Sequence, residues 1–209
     1  MMPFFLKGGM IGFAIAAPVG PIGVLCIRRA LMNGRISGFA TGAGAAVADG
    51  FYGAVAAFGL TAVSAFLGNY SAVLRLAGGL FLLGLAAQTL RRKPDMAEAK
   101  DGERRIHGLW DIAADFSSTV FLTLTNPATI LSFIAVFAGL GLGLAKTPRF
   151  DAVEMVAGVF SGSLTWWLIL SFGIGAVRHK LDGSTLALVN RISAAIIGGF
   201  GVAALASLL

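Results

Sequence analysis

The chain has 209 residues, of which 57% are apolar and only 12% are charged, and its mean hydropathy is +0.86. A soluble domain carries about twice that share of charged residues, so the composition predicts an all-α integral membrane protein and excludes an enzyme with a soluble catalytic domain. At roughly 20 residues per spanning helix, the length allows about six spans. With one cysteine and two histidines in the chain, we expect neither a metal site nor a cofactor.

The first apolar segment, predicted over residues 3–30, is interrupted at residues 17–21 (APVGP). Pro18 and Pro21 each lack an N–H and crowd the carbonyl one turn back, and Gly20 loosens the backbone further. A freed backbone group in lipid costs several kcal/mol unless something polar meets it. The interruption should therefore line a cavity, as broken membrane helices do in many transporters, or be a simple proline kink packed on protein.

The second and third segments, predicted over residues 36–60 and 71–90, each contain one notable charge. Asp49 lies near the middle of the second, where an ionised carboxylate costs about 2.5–3.5 kcal/mol. It could bind a substrate ammonium, take up and release a proton, or pair with Arg75 or Arg191. Arg75 lies one turn inside the third segment, where its side chain is expected to reach the headgroups.

The remaining segments are predicted over residues 116–144, 152–177 and 184–209, after a strongly polar loop at residues 91–107. The fourth segment is interrupted at Asn126-Pro127. Basic residues concentrate in the connections on one side of six spans, at 28–35, 91–107 and 178–182. Positively charged loops face the cytoplasm, so both termini should lie on the opposite side of the membrane.

The two halves, residues 3–91 and 111–209, are joined by a loop at about 92–110 and form one transmembrane domain with the same predicted order of elements. Each has an interrupted first span, a second span containing Phe-Gly, and a third span with an arginine near its start. Aligning the Phe-Gly pairs makes Asp49 equivalent to Ser163 and Tyr52 equivalent to Trp166. Since three spans are an odd number, the second half enters from the opposite side, which predicts two inverted three-helix repeats and a transport site where the interruptions meet.

The chemistry of this site favours a small zwitterion. Open amides at a half-helix N-terminus can hold a carboxylate, while Asp49 can hold an ammonium. Asn126 and Thr125 offer polar side chains, although Thr hydroxyls often bond back to their own helix and Asn126 could simply cap a half-helix. The candidate substrate- or proton-binding residues are Pro18, Gly20, Pro21, Asp49, Tyr52, Thr125, Asn126, Pro127 and Trp166.

These motifs resemble the LysE-type superfamily of bacterial amino-acid efflux transporters (lysine exporters and threonine/homoserine exporters). The resemblance rests on residues 18–21 (PVGP), on residues 38–49 leading to Asp49, and on residues 122–131 (LTLTNPATIL). It implies export of amino acids or related solutes across the bacterial inner membrane, driven by protons or the membrane potential, by a homodimer with periplasmic termini. Gly20-Pro21, Asp49 and Asn126-Pro127 match the motifs of the superfamily.

One departure bears on the substrate. The basic-amino-acid branch of the superfamily carries an acid shortly after its Asn-Pro, whereas Ser132 stands there in this chain. A neutral substrate is therefore favoured over lysine or arginine. The alternatives are a metal-cation exporter of the same superfamily, which would need more acids, cysteines or histidines, and a membrane scaffold that transports nothing.

Overall fold

A computed structural model describes residues 3–18, 20–58, 69–91, 108–126, 129, 132–133, 148–177 and 183–208. In this part of the chain all regular structure is helical, which confirms the predicted all-α class. The helices are α1 (Phe4–Ala16), α2 (Pro21–Met32), α3 (Arg35–Ala57), α4 (Ser71–Arg91), α5 (Leu109–Leu124), α6 (Arg149–Val177) and α7 (Gly183–Ala206).

Helices α4, α6 and α7 are long and apolar enough to cross a membrane, over Ala72–Arg91, Arg149–Ala176 and Ala187–Ala206. Helices α1 and α2 would add a fourth span if this bent pair crosses as one unit. The chain is therefore a multi-pass membrane protein. Two of the six predicted spans are not among these candidates. The second corresponds to α3, which is described in full but does not meet the same length and hydropathy test, and most of the fourth predicted segment lies outside the described residues.

The first predicted interruption is present. Helix α1 ends at Ala16, α2 begins at Pro21, and their axes differ by 81°. Pro21 occupies the first position of α2, where its missing N–H removes no helical hydrogen bond. Gly20 has a φ of −101° and a ψ of −165°, which is extended backbone open to any residue. The prolines therefore account for the interruption, and the special freedom of glycine is not used at residue 20.

Glycines allow α1 to lie directly against α6. A Cβ at Gly8 would clash with the carbonyl of Met155, and one at Gly12 with the carbonyl of Val159. Contacts between small residues let helix backbones approach closely in lipid. Residue numbers increase in the same direction along both helices from one contact to the next, so α1 and α6 run parallel.

Helix α3 packs between α5 and α6, and its glycines serve these contacts. Gly42 faces the Trp167 side chain on α6, and Gly44 faces the backbone of Phe116 on α5. The small residues of α3 are thus used for packing. Helices α4 and α7 pack against each other in antiparallel orientation, with Gly79 against Leu205.

Two helix ends differ from the predicted segments. Helix α2 continues to Met32, so Arg28 and Arg29 lie in its last turns, each 7% exposed, rather than in a solvated connection. Helix α5 begins at Leu109 rather than near residue 116, and therefore includes the buried Asp115. Arg28 is hydrogen-bonded to Asn190 and Arg29 is paired with Asp115. These partners explain why charged residues can extend the buried helices.

Candidate functional site

Asp49 is buried in the contact between α3 and α6, with 3% of its surface exposed. The hydroxyl of Ser163 donates a hydrogen bond to Asp49 Oδ2 at 2.6 Å, and Trp167 Nε1 donates to Ser163 Oγ at 3.1 Å. These residues form a closed polar chain inside the helix pair. The ion pair with Arg75 or Arg191 that the sequence left open is absent from the described residues, since Arg75 hydrogen-bonds to Ser207 and Arg191 is exposed.

A cavity of about 330 Å³ lies between α2, α4, α5 and α7. Pro21 from the first interruption and Thr125 and Asn126 from the second both line it. The structure therefore brings the two interrupted segments to one cavity. Asp49, Tyr52 and Trp166 are not among its lining residues.

The charged group at this cavity is the guanidinium of Arg75, one turn inside α4. Its Nη1 lies 3.4 Å from both the carbonyl oxygen and the hydroxyl of Ser207. Its Nε is buried and has no hydrogen-bond partner among the described residues. Apart from Arg75, Ser207, Thr125 and Asn126, the lining is formed by proline, glycine, alanine, leucine and phenylalanine.

The N-terminus of α2 adds positive potential at the same cavity. Pro21 is its first residue, and Gly20 before it provides no side-chain cap. The first amides of any helix have no carbonyl one turn back to bond with, and they carry partial positive charge. The cavity thus lies beside a cation and the positive end of the α2 dipole.

The other predicted site residues are spread around the second interruption and the α1–α6 contact. The Tyr52 hydroxyl donates to the carbonyl of Leu124 at 2.6 Å, at the end of α5. Thr125 Oγ1 donates to the carbonyl of Phe121 at 2.9 Å, so this hydroxyl bonds back to its own helix. Trp166 packs edge-on against Phe13, with ring centroids 5.3 Å apart.

Pro18 and Pro127 are the remaining prolines among the predicted site residues. Pro18 is exposed in the bend between α1 and α2. Pro127 lies outside the described residues, although α5 ends at Leu124 and Asn126 is not helical. The helix thus ends just before Asn126-Pro127, where the sequence predicts an interruption.

A second buried polar cluster lies at the C-terminal end of α2, away from Pro21. Arg29 Nε pairs with Asp115 Oδ1 on α5 at 2.9 Å, and Ser37 on α3 donates a hydrogen bond to Asp115 Oδ2. Arg29 also donates to Thr41 Oγ1 at 3.0 Å and to Thr119 Oγ1 at 3.2 Å. This cluster ties α2 to α3 and α5.

Arg28 ties the same end of α2 to α7 and, through Asn190, to α4. Its Nε donates to Asn190 Oδ1 on α7 at 2.8 Å, and Asn190 Nδ2 donates to the carbonyl of Thr89 on α4 at 2.7 Å. The two consecutive arginines therefore connect one end of α2 to α3, α4, α5 and α7.

Sequence reasoning did not select Arg29 or Asp115 as interior residues, and it gave Arg75 an interior place only as a possible partner of Asp49. A signal existed for Arg29 and Asp115. Arg29 lies at the end of the first predicted apolar segment, and Asp115, of opposite charge, lies just before the fourth. Charged residues are buried chiefly when they are paired. For Arg75 the sequence gives no comparable signal, since an arginine one turn inside a span most often reaches the membrane surface. In the described residues, no group of three or more histidine, cysteine, aspartate or glutamate side chains is placed to hold a metal ion.

Comparison with known proteins places the chain in one family over almost its whole length. Residues 13–208 match the family described as LysE type translocator. The chain is 31% identical over 180 residues to the "Uncharacterized membrane protein YahN" of Escherichia coli (strain K12), an alignment that covers 84% of this chain and 77% of YahN. It is 25% identical over 206 residues to the "Putative amino acid efflux protein YcgF" of Bacillus subtilis (strain 168), covering 96% of this chain and 94% of YcgF.

No solved structure matches the chain significantly. The family match and the description of YahN as a membrane protein agree with the apolar helices. The predicted resemblance is confirmed, and the chain belongs to the LysE-type translocator family.

Proposed function

We propose that this protein is a secondary transporter that exports amino acids or related small solutes from the cytoplasm. The observation that carries the proposal is the meeting of the two interrupted segments, at Pro21 and Asn126, in one cavity of about 330 Å³. Small-molecule sites are commonly cavities of roughly 300–1,000 Å³ with a few polar groups in an apolar lining. The description of YcgF as a "Putative amino acid efflux protein" supports the same class of substrate.

A neutral solute fits this cavity better than a basic one. Its described lining contains the guanidinium of Arg75 and no carboxylate. A lysine or arginine side chain would meet a like charge there without a counter-ion, which is costly where water is scarce. The lining thus supports the preference inferred from Ser132, and it also speaks against a metal cation as the exported species.

We assign the coupling proton to Asp49. Its carboxyl is buried between α3 and α6, and its hydrogen-bond partner in the described residues is a neutral hydroxyl, that of Ser163. Ionisable groups inside membrane segments mark ion and proton pathways. Asp49 does not line the cavity, so proton and solute would bind to separate groups and affect each other through movement of the helices.

The inverted repeat is part of the same proposal, and the helix contacts support it. Asp49 and Ser163, equivalent in the alignment of the halves, contact each other, as residues on a two-fold axis do. The first helix of each half runs parallel to the second helix of the other, in the pairs α1–α6 and α3–α5. We propose the bacterial inner membrane, cytoplasmic basic loops, periplasmic termini and a homodimer.

The ends of α2 suggest how the path would alternate. Its N-terminus faces the cavity, and its C-terminus is tied by Arg28 and Arg29 to the neighbouring helices. With the basic loops cytoplasmic, these ties close the cytoplasmic side, and they would have to break before a solute could enter. A scaffold that transports nothing would have no use for such an arrangement.

The test is metabolite profiling of the medium of cells that overexpress the protein, with Asp49→Asn as the variant. Asparagine keeps an oxygen that can accept the Ser163 hydrogen bond but cannot ionise. We expect wild-type cells to release an excess of neutral amino acids or related solutes. The variant should lose most of that excess, about tenfold or more, while reaching the membrane in equal amount.

Asp111→Asn is the matched control, because Asp111 is an exposed acid in the first turn of α5. It should export normally. Full export by Asp49→Asn would remove the proposed role of Asp49, and the absence of any released solute from wild-type cells would remove the proposed function.

A further inference from the structure

The guanidinium of Arg75 has unused hydrogen-bonding capacity at the cavity. An arginine side chain carries five N–H donors in a planar fork. At Arg75 the hydrogen bonds to Ser207 are long, at 3.4 Å, and the buried Nε has no partner in the described part of the chain. A buried donor without a partner costs free energy, so a ligand that accepts from Nε would remove this cost.

The surroundings of Arg75 define what that ligand is. The described lining holds no carboxylate that could neutralise the guanidinium, and the open N-terminus of α2 at Pro21 adds further positive potential. The rest of the wall is apolar, including Leu82, Leu122 and Phe200. An anion with a small neutral or apolar remainder satisfies both parts of this cavity.

We propose that Arg75 binds the carboxylate of the exported solute in a two-point contact with its guanidinium fork. Arginine pairs with carboxylates through two parallel N–H···O bonds, which fixes orientation as well as charge. Arg75 is then a specificity-determining residue, because it admits solutes with a free carboxylate and rejects the corresponding amides. That the bound solute is exported rests on the proposed function, but carboxylate binding at Arg75 can be tested without transport.

The experiment measures charge preference in the cavity with a reporter cysteine. Ala203→Cys places a thiol in the lining, in a background where Cys26, the single cysteine of the chain, is changed to serine. The parent carries a C-terminal tag, so that a terminal carboxylate close to Ser207 cannot be the ion that Arg75 binds. The purified protein is labelled with an anionic sulfonatoethyl methanethiosulfonate and with its cationic trimethylammonium counterpart.

We expect the anionic reagent to be favoured with Arg75 present, and the ratio of the two rates to fall about tenfold in Arg75→Gln, as expected for loss of a unit charge at close range. Arg191→Gln is the matched control, because Arg191 is an exposed arginine on α7, and it should leave the ratio unchanged.

L-alanine and propionate should slow labelling in the parent, whereas L-alaninamide should not. Arg75→Lys should keep part of the charge preference.

The outcomes separate the two proposals. An unchanged ratio in Arg75→Gln, or equal protection by L-alanine and L-alaninamide, overturns the carboxylate site and leaves the export proposal standing. A ratio that falls as expected, in a protein that releases no solute from cells, supports the carboxylate site and overturns the proposed function. Circular dichroism of each variant establishes that the helices are intact before the rates are compared.

Discussion

Asp49 and Arg75 are ionisable side chains inside apolar helices, and their surroundings differ. The carboxyl of Asp49 is enclosed with Ser163 between two helices, whereas the guanidinium of Arg75 faces a cavity with donors unused. The sequence predicted an interior role for Asp49 because a carboxylate in a membrane segment is expensive. For Arg75 it favoured the membrane surface, which a long cationic side chain can reach from one turn inside a helix, and it left an ion pair with Asp49 as an alternative.

Glycine substitutions test how individual residues shape the chain around the first interruption. Gly20 has ordinary extended backbone, and a Cβ there would meet no atom within 4 Å. Gly12 lies against the carbonyl of Val159, where a Cβ would clash with backbone. We therefore expect Gly20→Ala to fold with a melting temperature close to that of the wild type.

Gly12→Ala should instead separate α1 from α6 and lower the melting temperature of the purified protein in detergent by several degrees, as overpacking by about 1–3 kcal/mol would. Gly9→Ala is the neighbouring control, because a Cβ at Gly9 would be in ordinary contact, 3.8 Å from the Gly158 carbonyl oxygen. Equal melting temperatures for the residue 12 and residue 20 variants would contradict the close α1–α6 contact.

At the level of whole helices, the sequence predicted best where apolar segments are interrupted by proline. The interruption before Pro21 and the end of α5 before Asn126 were both predicted, because proline cannot continue a helix without losing a hydrogen bond. The extent of α2 and the start of α5 were not predicted. In the sequence, Arg29 and Asp115 each look like a charged residue of a connecting loop. Only the folded chain brings them into the ion pair that permits their burial.

Removing the carboxylate of Asp115 should loosen the C-terminal end of α2. Breaking a buried ion pair typically costs about 3–5 kcal/mol, because the remaining charge is left without a partner. Cys26 reports on this region, since its thiol is buried and hydrogen-bonded to the Gly38 carbonyl on α3 and to Ser171 on α6. We expect Asp115→Asn to increase the rate of maleimide labelling of Cys26 at least several-fold.

Asp111→Asn again provides the comparison, because it removes an exposed acid from the same helix without affecting the ion pair. Its labelling rate should equal that of the wild type. If Asp115→Asn also labels at the wild-type rate, the ion pair does not hold α2 in place, and another contact must close this side of the helix bundle.

Across the whole molecule, the alignment of the halves predicts Asp49 and Ser163 to be equivalent, and these two residues are in contact; the inverted repeat itself stays a proposal. The alignment could not predict that α1 packs on α6, because the sequence of an apolar helix does not distinguish a face toward lipid from a face toward another helix. The convergence of both interruptions on one cavity was expected, but the presence of Arg75 there depends on how α4 packs against α7.

The proposed orientation leads to a labelling pattern for the molecule. In the Cys26→Ser background, single cysteines at positions 2, 99 and 208 mark the two termini and the long basic loop. An impermeant maleimide should label the cysteines at 2 and 208 in intact cells, and the one at 99 only after the cytoplasmic membrane is permeabilised. Labelling of one terminus but not the other would require an odd number of spans and would contradict the inverted repeat.

The parallel contact of α1 with α6 also affects how the protein is made. Gly12 meets Val159, which is synthesised about 150 residues later, roughly 7 to 30 s at typical elongation rates. During that interval the glycine face of the first helix has no permanent neighbour and remains open to lipid, to the insertion machinery or to another nascent chain. Biogenesis of this protein therefore depends on protecting its earliest helix until the fifth predicted span arrives, and a translation pause before residue 149 should increase its degradation.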